Sequence, residues 1–253
     1  MSDELPPPGG GGPEDVWNRV LRAALALPGA RIDRTAFLRK ELSKHTTKEV
    51  LQCAIETSPA KAGVSKDVIR RIATASIKWH RAGVSSVSFA AGLPGGWWMA
   101  GTVPADLTQF FWHTVVILQK LAYLYGWPEL LGEDSELDDE TLLILTVFIG
   151  VMLGAESSAK ILGDLAERLA AEVLKRLPRE ALTKWGLFRL AREIAKWIGI
   201  KLTKEAFARY LSKLVPILSG IISGTITWIS FSLMTNRLAT HLESLPLAGG
   251  NDA

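Results

Sequence analysis

The sequence predicts an all-α protein, a compact multi-helix domain with a glycine-rich apolar central hairpin. Three observations support this prediction. Apolar residues make up 48% of the 253 residues, which is enough for a sizeable core. Leu, Ala, Lys, Glu and Arg recur at the 3.6-residue spacing of amphipathic helices. Alternating β-branched runs bounded by turns, the mark of strands, are scarce.

The chain is predicted to form one helical domain, residues 14–245, between two short disordered tails, residues 1–13 and 246–253. The first tail is acidic and rich in Pro and Gly, without the basic start or apolar core of a signal peptide. The single cysteine, Cys53, cannot form an internal disulfide, and its apolar neighbours predict a buried thiol. These features favour a cytoplasmic protein.

Four surface helices are predicted in the first third of the chain, from polar N-cap residues before the apolar periodicity and from Pro or Gly after it. Their predicted ranges are Asp15–Leu27, ended by Pro28 and Gly29; Asp33–Leu42; a helix capped by Thr46 or Thr47; and Lys66–His80, capped by Ser65 and ended by Gly83.

The central hairpin is predicted from a change of composition at Gly83. No charged residue occurs between Gly83 and Ala105, and glycines are frequent there. A new helix begins near Thr102 and continues to Tyr125, where Gly126 ends it. The predicted hairpin therefore spans Gly83–Tyr125, and its expected packing partners are the uncharged segments Thr141–Gly154 and Leu214–Leu233.

An acidic loop separates the hairpin from the second half of the chain. Residues Glu129–Glu140 include seven acidic side chains and no basic one. Asp138 or Asp139 begins the helix that contains Thr141–Gly154, since early acids suit the positive end of the helix dipole. The remaining predicted helices are Ser157–Leu177, Arg179–Trp185, Phe188–Ile200, one capped by Thr203, and Leu214–Asn236.

Two long uncharged runs raise the question of a membrane. About 20 apolar residues span a bilayer, so Thr141–Gly154 is too short. Leu214–Asn236 is long enough, but it contains Pro216 and eight polar residues. Both runs carry glycines four residues apart, which suits close helix packing. Burial in a soluble core, peripheral or hairpin-type membrane association and a single membrane span all remain open, in that order of preference. A homo-oligomer through Gly150/Gly154 or Gly220/Gly224 is compatible with membrane association.

A basic, aromatic-rich stretch, Lys175–Lys213, carries eleven Lys or Arg against three Glu. Such composition is typical of a solvated surface, and it also suits an anionic membrane surface. No nucleic-acid partner is predicted. Membrane contact would place the protein peripherally on the inner face of the cell membrane.

One helix of the hairpin carries candidate chemistry. Asp106, His113 and Lys120 are spaced by seven, so they share a helix face. At about 1.5 Å per residue, Asp106 and His113 lie roughly 10 Å apart, so a second helix must supply a partner. The alternatives are a helix-start role for Asp106 and a core role for His113. The candidate ligand-binding residues are Gly92, Gly95, Gly96, Asp106, Gln109, His113 and Tyr125.

Other catalytic and binding motifs are missing from the sequence. The glycine-rich segment lacks Walker A spacing, the acidic loop lacks the glycine and final glutamate of an EF-hand, and no nucleophile elbow is present. One cysteine and four scattered histidines do not predict a zinc site. We therefore predict no catalytic residue, no metal and no cofactor.

Several segments, in this order, resemble the EcsC family. They are Leu27-Pro28-Gly29 with Ile32-Asp33-Arg34 and Phe37-Leu38; Ser88 to Gly96; Val103 to Leu107; Gln119 to Gly126; Phe148 to Met152; and Ile217 to Gly220 with Ser223-Gly224. The resemblance covers about residues 15–245. One departure is Leu218-Ser219, where family members often have glycine, which implies a looser helix approach there.

The resemblance implies a helical, bacterial protein with membrane-linked work. The family takes its name from a gene cluster that encodes an ABC-type exporter, but it implies no reaction and no catalytic residue. The expected function is therefore that of a membrane-proximal, non-enzymatic accessory or interaction protein. The alternative is a small-molecule binder or enzyme that uses an Asp106/His113/Tyr125 stripe in an apolar cavity.

Overall fold

The computed structural model describes residues 12–91, 105–131, 137–171, 181–184, 186–201 and 223–249. These residues form eleven helices and no strand, which confirms the predicted all-α class. The helices are α1 Pro13–Leu25, α2 Arg34–Leu42, α3 Lys48–Glu56, α4 Lys66–Ala91, α5 Ala105–Leu124, α6 Asp139–Met152, α7 Glu156–Ala170, α8 Ala181–Lys184, α9 Phe188–Lys201, α10 Ser223–Glu243 and α11 Pro246–Gly249.

Helices α2, α3 and α6 begin at predicted caps. The Asp33 side chain accepts a hydrogen bond from the Ala36 amide over 2.5 Å, and the Asp138 Oδ1 atom accepts one from the Thr141 amide over 2.7 Å. Thr47 caps α3 in the same way. Each cap satisfies an amide that has no partner within its own helix.

Gly83 does not end α4, contrary to the prediction, and the helix continues to Ala91. The structure gives a different reason for glycine at this position. A Cβ atom on Gly83 would lie 2.5 Å from the Cε1 atom of His113, closer than side chains pack. The glycine therefore allows α5 to approach α4 closely.

The prediction of a buried Cys53 is wrong. The thiol is exposed, and its Sγ atom lies 3.8 Å from the Thr57 Oγ1 atom. The reason is the position of α3 at the surface, where Ala54 is its one buried residue. Cys53 is adjacent to Ala54 in the chain and therefore points in a different direction.

Both predicted tails are too long. Pro13 is the first residue of α1, where its missing amide proton costs nothing. At the other end, Pro246–Gly249 form α11, with Leu247 buried against the rest of the chain. The remaining tail positions, 1–11 and 250–253, lie outside the described residues.

α6 is the centre of the core. Every residue from Glu140 to Met152 is buried, and α6 contacts α7, α9 and α10. α4 packs between α5 and α10, and α1 packs on α5 and α9. Since α5 contacts both α6 and α10, the described part of the hairpin has the predicted partners. The predicted hairpin turn, residues 92–104, lies outside the described residues.

Two buried tryptophans join the layers. Trp17 of α1 is fully buried, its ring centroid lies 5.1 Å from that of Phe111, and its Nε1 atom donates to the Thr146 Oγ1 atom over 2.7 Å. Trp127, just after α5, packs edge-on against Phe148 at 4.9 Å between centroids. The hydrogen bond from Trp17 satisfies the one polar atom of its ring, as burial requires.

A buried arginine fixes the end of α3. Arg34 of α2 is 5% exposed. Its guanidinium donates to the carbonyls of Ile55 (2.7 Å), Thr57 (2.9 Å) and Trp127 (3.1 Å). These carbonyls belong to the ends of α3 and α5, where no helical partner is left for them. Arg34 therefore links three helices.

Gly150 and Gly154, one of the two glycine pairs predicted to allow self-association, pack against other residues of the same chain. Gly150 lies against Ser158 and Ile194, and Gly154 lies against the Arg237 side chain. The Arg237 Nη1 atom in turn donates to the Met152 carbonyl over 3.0 Å, at the end of α6. Intramolecular neighbours therefore occupy the surface of this pair. Gly220 lies outside the described residues.

Candidate functional site

Three basic side chains meet between α4 and α5. The Nδ1 atoms of His80 and His113 lie 3.0 Å apart, and the Lys120 Nζ atom lies 3.1 Å from the His80 Nε2 atom. His80 is fully buried and His113 is 4% exposed. We call these three residues the nitrogen row. It joins the two helices by hydrogen bonds between basic groups alone.

Helix periodicity explains how the row is assembled. His113 and Lys120 are two turns apart on one face of α5. His80 of α4 lies opposite both, with one ring nitrogen for each. Gly83, about one turn after His80, gives the His113 ring the space that it needs. His80 is the second-helix partner that the spacing on α5 requires.

Tryptophan rings enclose the row. The Trp79 ring lies edge-on to His80 at 4.6 Å between centroids, and the Trp112 ring lies edge-on to His113 at 4.7 Å. The Lys120 Nζ atom is 5.4 Å from the Trp79 ring centroid, within cation–π range. Trp79 is nevertheless 62% exposed, so one side of this enclosure faces solvent.

The surroundings favour the neutral histidines. Burial and the Lys120 charge lower the pKa of His80 to about 2, and the same two causes lower the pKa of His113 to about 4. Burial also lowers the pKa of Lys120, and Glu41 of α2 partly offsets this effect. Both imidazoles are therefore neutral at pH 7.

Neutral rings fix the direction of the hydrogen bonds. The Lys120 ammonium can only donate, so the His80 Nε2 atom accepts and His80 carries its proton on Nδ1. His80 then donates to the Nδ1 atom of His113, which carries its own proton on Nε2. This assignment follows from the hydrogen-bond network, and it makes the row a one-directional chain from Lys120 to His113.

The predicted stripe on α5 divides between two places. His113 lies in the nitrogen row, whereas Tyr125 is buried beside Arg70 and Glu243, and burial raises its pKa to about 12. Twelve residues separate His113 from Tyr125, or roughly 18 Å along a helix. The structure therefore brings Lys120, rather than Tyr125, together with His113 through His80.

The other candidate residues are only partly described. Asp106 lies in the first turn of α5, as the helix-start interpretation requires, but its side chain lies outside the described residues. Gln109 is half-buried on α5. Gly92, Gly95 and Gly96 lie outside the described residues. Their roles stay predictions.

Gly83 is the sequence signal that points to the approach of α5 near His80. A glycine in a helical pattern predicts a helix end, but inside a helix it also marks a close approach to another element. Gln119, a buried polar residue of α5, links this helix to the connection between α1 and α2, a contact that local sequence patterns do not predict. Its Nε2 atom donates to the Ala30 carbonyl over 2.7 Å, and its Oε1 atom accepts from the Ile32 amide over 3.1 Å.

In the part of the chain that the structure describes, no three or more His, Cys, Asp or Glu side chains are placed so that they could hold a metal ion. The nitrogen row supplies two histidines and a lysine. What the row can do chemically is take up or pass on a proton, since its atoms are bases held within hydrogen-bond distance.

Three helix ends meet at one end of the bundle. The Arg81 Nη1 atom of α4 lies 3.3 Å from the Ser232 Oγ atom of α10, and near the other end Arg70 pairs with Glu243 at 2.6 Å. α4 and α10 are therefore antiparallel. Rings of Phe110 and Phe231, 5.9 Å apart, bring the start of α5 to the same end.

This end of the bundle is nearly free of charge. Among residues 82–91, 105–119 and 223–236, Asp106 is the one Asp, Glu, Lys or Arg. We call these three spans the uncharged end. Arg81, whose Cζ atom lies 3.9 Å from the Trp228 ring centroid, borders it on α4, and Arg237 borders it on α10.

The solvent-facing side of α10 at this end exposes apolar side chains. Trp228 and Leu233 are each 40% exposed, which is high for such large apolar groups. Helical spacing places Ile229, Ser232 and Asn236 on the same side, and none of them is charged. We call these five residues the α10 outward face. An uncharged face of this kind differs from the usual charged surface of a soluble helix.

α9 exposes a different kind of surface. Leu190 is 47% and Ile200 59% exposed, while Trp197 between them is half-buried. Arg189 and Lys196 lie exposed beside this apolar stripe, and the exposed Glu193 pairs with Lys196 at 3.2 Å between the Nζ and Oε1 atoms. We call it the α9 basic face. It belongs to the basic, aromatic-rich stretch of the sequence, of which residues 175–180, 185 and 202–213 lie outside the described residues.

No helix within the described ranges has both the length and the apolar character to cross a bilayer. Comparisons of the chain with protein-family models, with curated proteins and with solved structures found no match. The resemblance to the EcsC family therefore stays a prediction from its motifs.

Proposed function

We propose that this protein is a non-enzymatic accessory or interaction protein that binds peripherally to the anionic inner face of the cell membrane. The observation that carries the proposal is the α10 outward face, where Trp228 and Leu233 are exposed on a helix face whose own five residues carry no charge, and the Arg81 guanidinium of α4 lies over the Trp228 ring. Peripheral contact requires only that side chains enter the interface, so no spanning helix is needed.

The chemistry of the α10 outward face suits the membrane interface. Tryptophan is favoured at the headgroup level, because its ring is apolar and its N–H can remain hydrated. Arg81 and Arg237 border this face, where the Arg81 guanidinium lies over the Trp228 ring and the Arg237 Nη1 atom donates to the Met152 carbonyl. Full burial of one large apolar side chain contributes about 1.5–3 kcal/mol, so two half-exposed ones contribute about that much together.

Exposed basic side chains would make the protein bind anionic lipid more strongly than neutral lipid. Each Lys or Arg near a negatively charged surface contributes about 1 kcal/mol. The α9 basic face supplies Arg189, while its Lys196 is paired with Glu193, and its exposed Leu190 and Ile200 add apolar contact. The sum is a few kcal/mol for each surface, which corresponds to reversible binding.

The EcsC resemblance supports the same location, since it implies membrane-linked work beside an exporter. A membrane protein is then a second class of partner, bound from the cytoplasmic side. A homo-oligomer, where one forms, would use Gly220/Gly224 rather than Gly150/Gly154, whose surface is occupied by Ser158 and Arg237.

Vesicle sedimentation tests this function. The purified protein is mixed with vesicles of phosphatidylcholine alone or with added phosphatidylserine, at low and high salt. We expect binding to the anionic vesicles that weakens with salt, because exposed charges are screened. No binding to either vesicle would overturn the proposal.

A matched pair of variants locates the contact. Leu233→Glu puts a charge on the α10 outward face, and Leu27→Glu puts the same charge on a leucine of similar exposure, 38% against 40%, outside the uncharged end. We expect Leu233→Glu to weaken binding about tenfold or more and Leu27→Glu to leave it unchanged. Equal effects of the two substitutions would show that the α10 outward face is not the contact.

The second candidate function, ligand binding or catalysis by Asp106, His113 and Tyr125, has one favourable observation, the buried position of His113 beside two other bases. Tyr125 contributes to a different region of the chain. Asp106→Asn tests this candidate: loss of a bound small molecule with an unchanged melting temperature would favour it, and a lowered melting temperature alone would favour the helix-start role.

A further inference from the structure

We propose that the nitrogen row is a proton-operated latch, which holds α4 and α5 together at neutral pH and releases the uncharged end of the bundle in acid. The opening is a property of the protein in solution. Its consequence, stronger membrane contact in acid, rests on the proposed function.

The hydrogen-bond geometry of the row has no place for another proton. Two contacts, Lys120 to His80 and His80 to His113, each contain one hydrogen. When a further proton is taken up, it can move along the row, but one contact then always contains two hydrogens. Two donors that face each other at about 3 Å repel, so every protonated form of the row breaks a link between α4 and α5.

The charged groups on the helices around the row do little to stabilise an additional proton there. α2 places Glu41 and Lys40 near Lys120, and their effects on its charge are opposite. α10 packs on both helices, but its Arg237 is bonded to the Met152 carbonyl and its Glu243 is paired with Arg70.

The remaining charged groups nearby are also engaged elsewhere. His241 of α10 interacts with the backbone of Ala159, and Arg81 of α4 lies over the Trp228 ring. On α1, which packs against α5, Glu14 is paired with Arg192. Among the side chains that the structure describes, Glu41 is the carboxylate that raises the pKa of Lys120.

The position of the row explains why its release has a consequence. Beyond His80 and His113 lie the ends of α4 and α5 that form the uncharged end. Val84 and Phe110, at 3% and 7% exposed, are buried there beside the row. Separation of the two helices at this point exposes apolar side chains next to the α10 outward face, which enlarges the surface that can enter a membrane interface.

The direction of the pH effect follows from linkage. Both imidazoles have a pKa below 6.5 in the closed state and regain the ordinary value when the row opens. The closed state therefore has its full stability above pH 6.5 and loses it as the pH falls. Well below pH 6.5 each histidine lowers the ratio of closed to open molecules by up to about tenfold per pH unit, so the two together lower it by roughly 500-fold between pH 7 and pH 5.

Amide hydrogen exchange at pH 7 and pH 5, corrected for the intrinsic rate, tests the latch without any membrane. We expect peptides that cover His80 and His113 to lose protection in acid, while peptides of α6 keep it. A double variant, His80→Asn with His113→Asn, should lose this acid response, and His45→Gln, at an exposed histidine, should keep it. An unchanged acid response in the double variant would overturn the proposal.

A second measurement needs no variant and covers the case in which the double variant does not fold. Nitrogen chemical shifts of the wild-type histidine rings report tautomer and pKa. We expect His80 to carry its proton on Nδ1 and His113 on Nε2, both without titration near pH 6.5. Titration of both rings near 6.5 in the folded protein would overturn the latch.

The two proposals fail separately. Acid opening without vesicle binding at any pH leaves the latch and contradicts the membrane function. Vesicle binding that is equal at pH 7 and pH 5, with unchanged protection in α4 and α5, leaves the membrane function and contradicts the latch.

Discussion

The Nδ1 atoms of His80 and His113 lie 3.0 Å apart, and both rings are buried between two helices. Because two like atoms face each other, one ring must donate and the other must accept. Lys120 decides which, since its ammonium occupies the other nitrogen of His80. Three bases thus hold a helix pair together only while both rings are neutral.

The first prediction concerns the pH dependence of global stability. Since the unfolded chain binds protons on both histidines below pH 6.5 and the folded chain does not, the free energy of unfolding should rise with pH. From pH 5 to pH 6 each histidine contributes up to about 1.4 kcal/mol per pH unit. Urea denaturation of the wild type and of the His80→Asn, His113→Asn variant isolates this contribution as a difference. Parallel pH profiles would contradict the neutral assignment.

The second prediction concerns the glycine beside the row. Gly83→Ala gains about 1 kcal/mol in helix propensity, but its Cβ atom would lie 2.5 Å from the His113 ring. Overpacking in a rigid core costs about 1–3 kcal/mol, so we expect no gain or a net loss of stability and a displaced His113.

Gly163→Ala in α7 is the matched control. No atom lies within 4 Å of the position of its added Cβ, so this variant should be more stable by about 1 kcal/mol. Thermal unfolding compares the two substitutions. Equal stabilisation by both would mean that α4 and α5 do not approach as closely as described.

Local signals in the sequence were sufficient for most of the helices. Asp33, Thr47 and Asp138 cap helices where the pattern of polar and apolar residues predicts them, because a cap depends on residues three positions away. The same local rule was wrong for Gly83, because the His113 ring that explains this glycine is thirty positions further along the chain.

Contacts that are distant in sequence were harder to predict. The spacing of His113 and Lys120 predicts a shared face on α5, but nothing in one helix shows which residue of another lies opposite. The exposed Cys53 is a similar case. Its neighbours are apolar, and only the position of α3 at the edge of the bundle shows that they do not enclose the thiol.

The third prediction concerns Arg34. Arg34→Ala removes the donors to the carbonyls of Ile55, Thr57 and Trp127 and leaves these groups buried without a partner. We expect the free energy of unfolding to fall by about 3 kcal/mol. The control is Arg39→Ala at an exposed position of the same helix, which should change it by less than about 0.5 kcal/mol. A similar loss in both variants would contradict the linking role of Arg34.

The most direct test of the central claim is the depth of the α10 outward face in a membrane. Leu233→Cys in a Cys53→Ser background provides one site for a nitroxide label, and Leu27→Cys in the same background provides a control of similar exposure. On addition of anionic vesicles, the label at position 233 should become accessible to oxygen and protected from a water-soluble nickel complex, while the label at position 27 remains accessible to nickel. Equal nickel accessibility of both labels in a vesicle-bound protein would contradict the account.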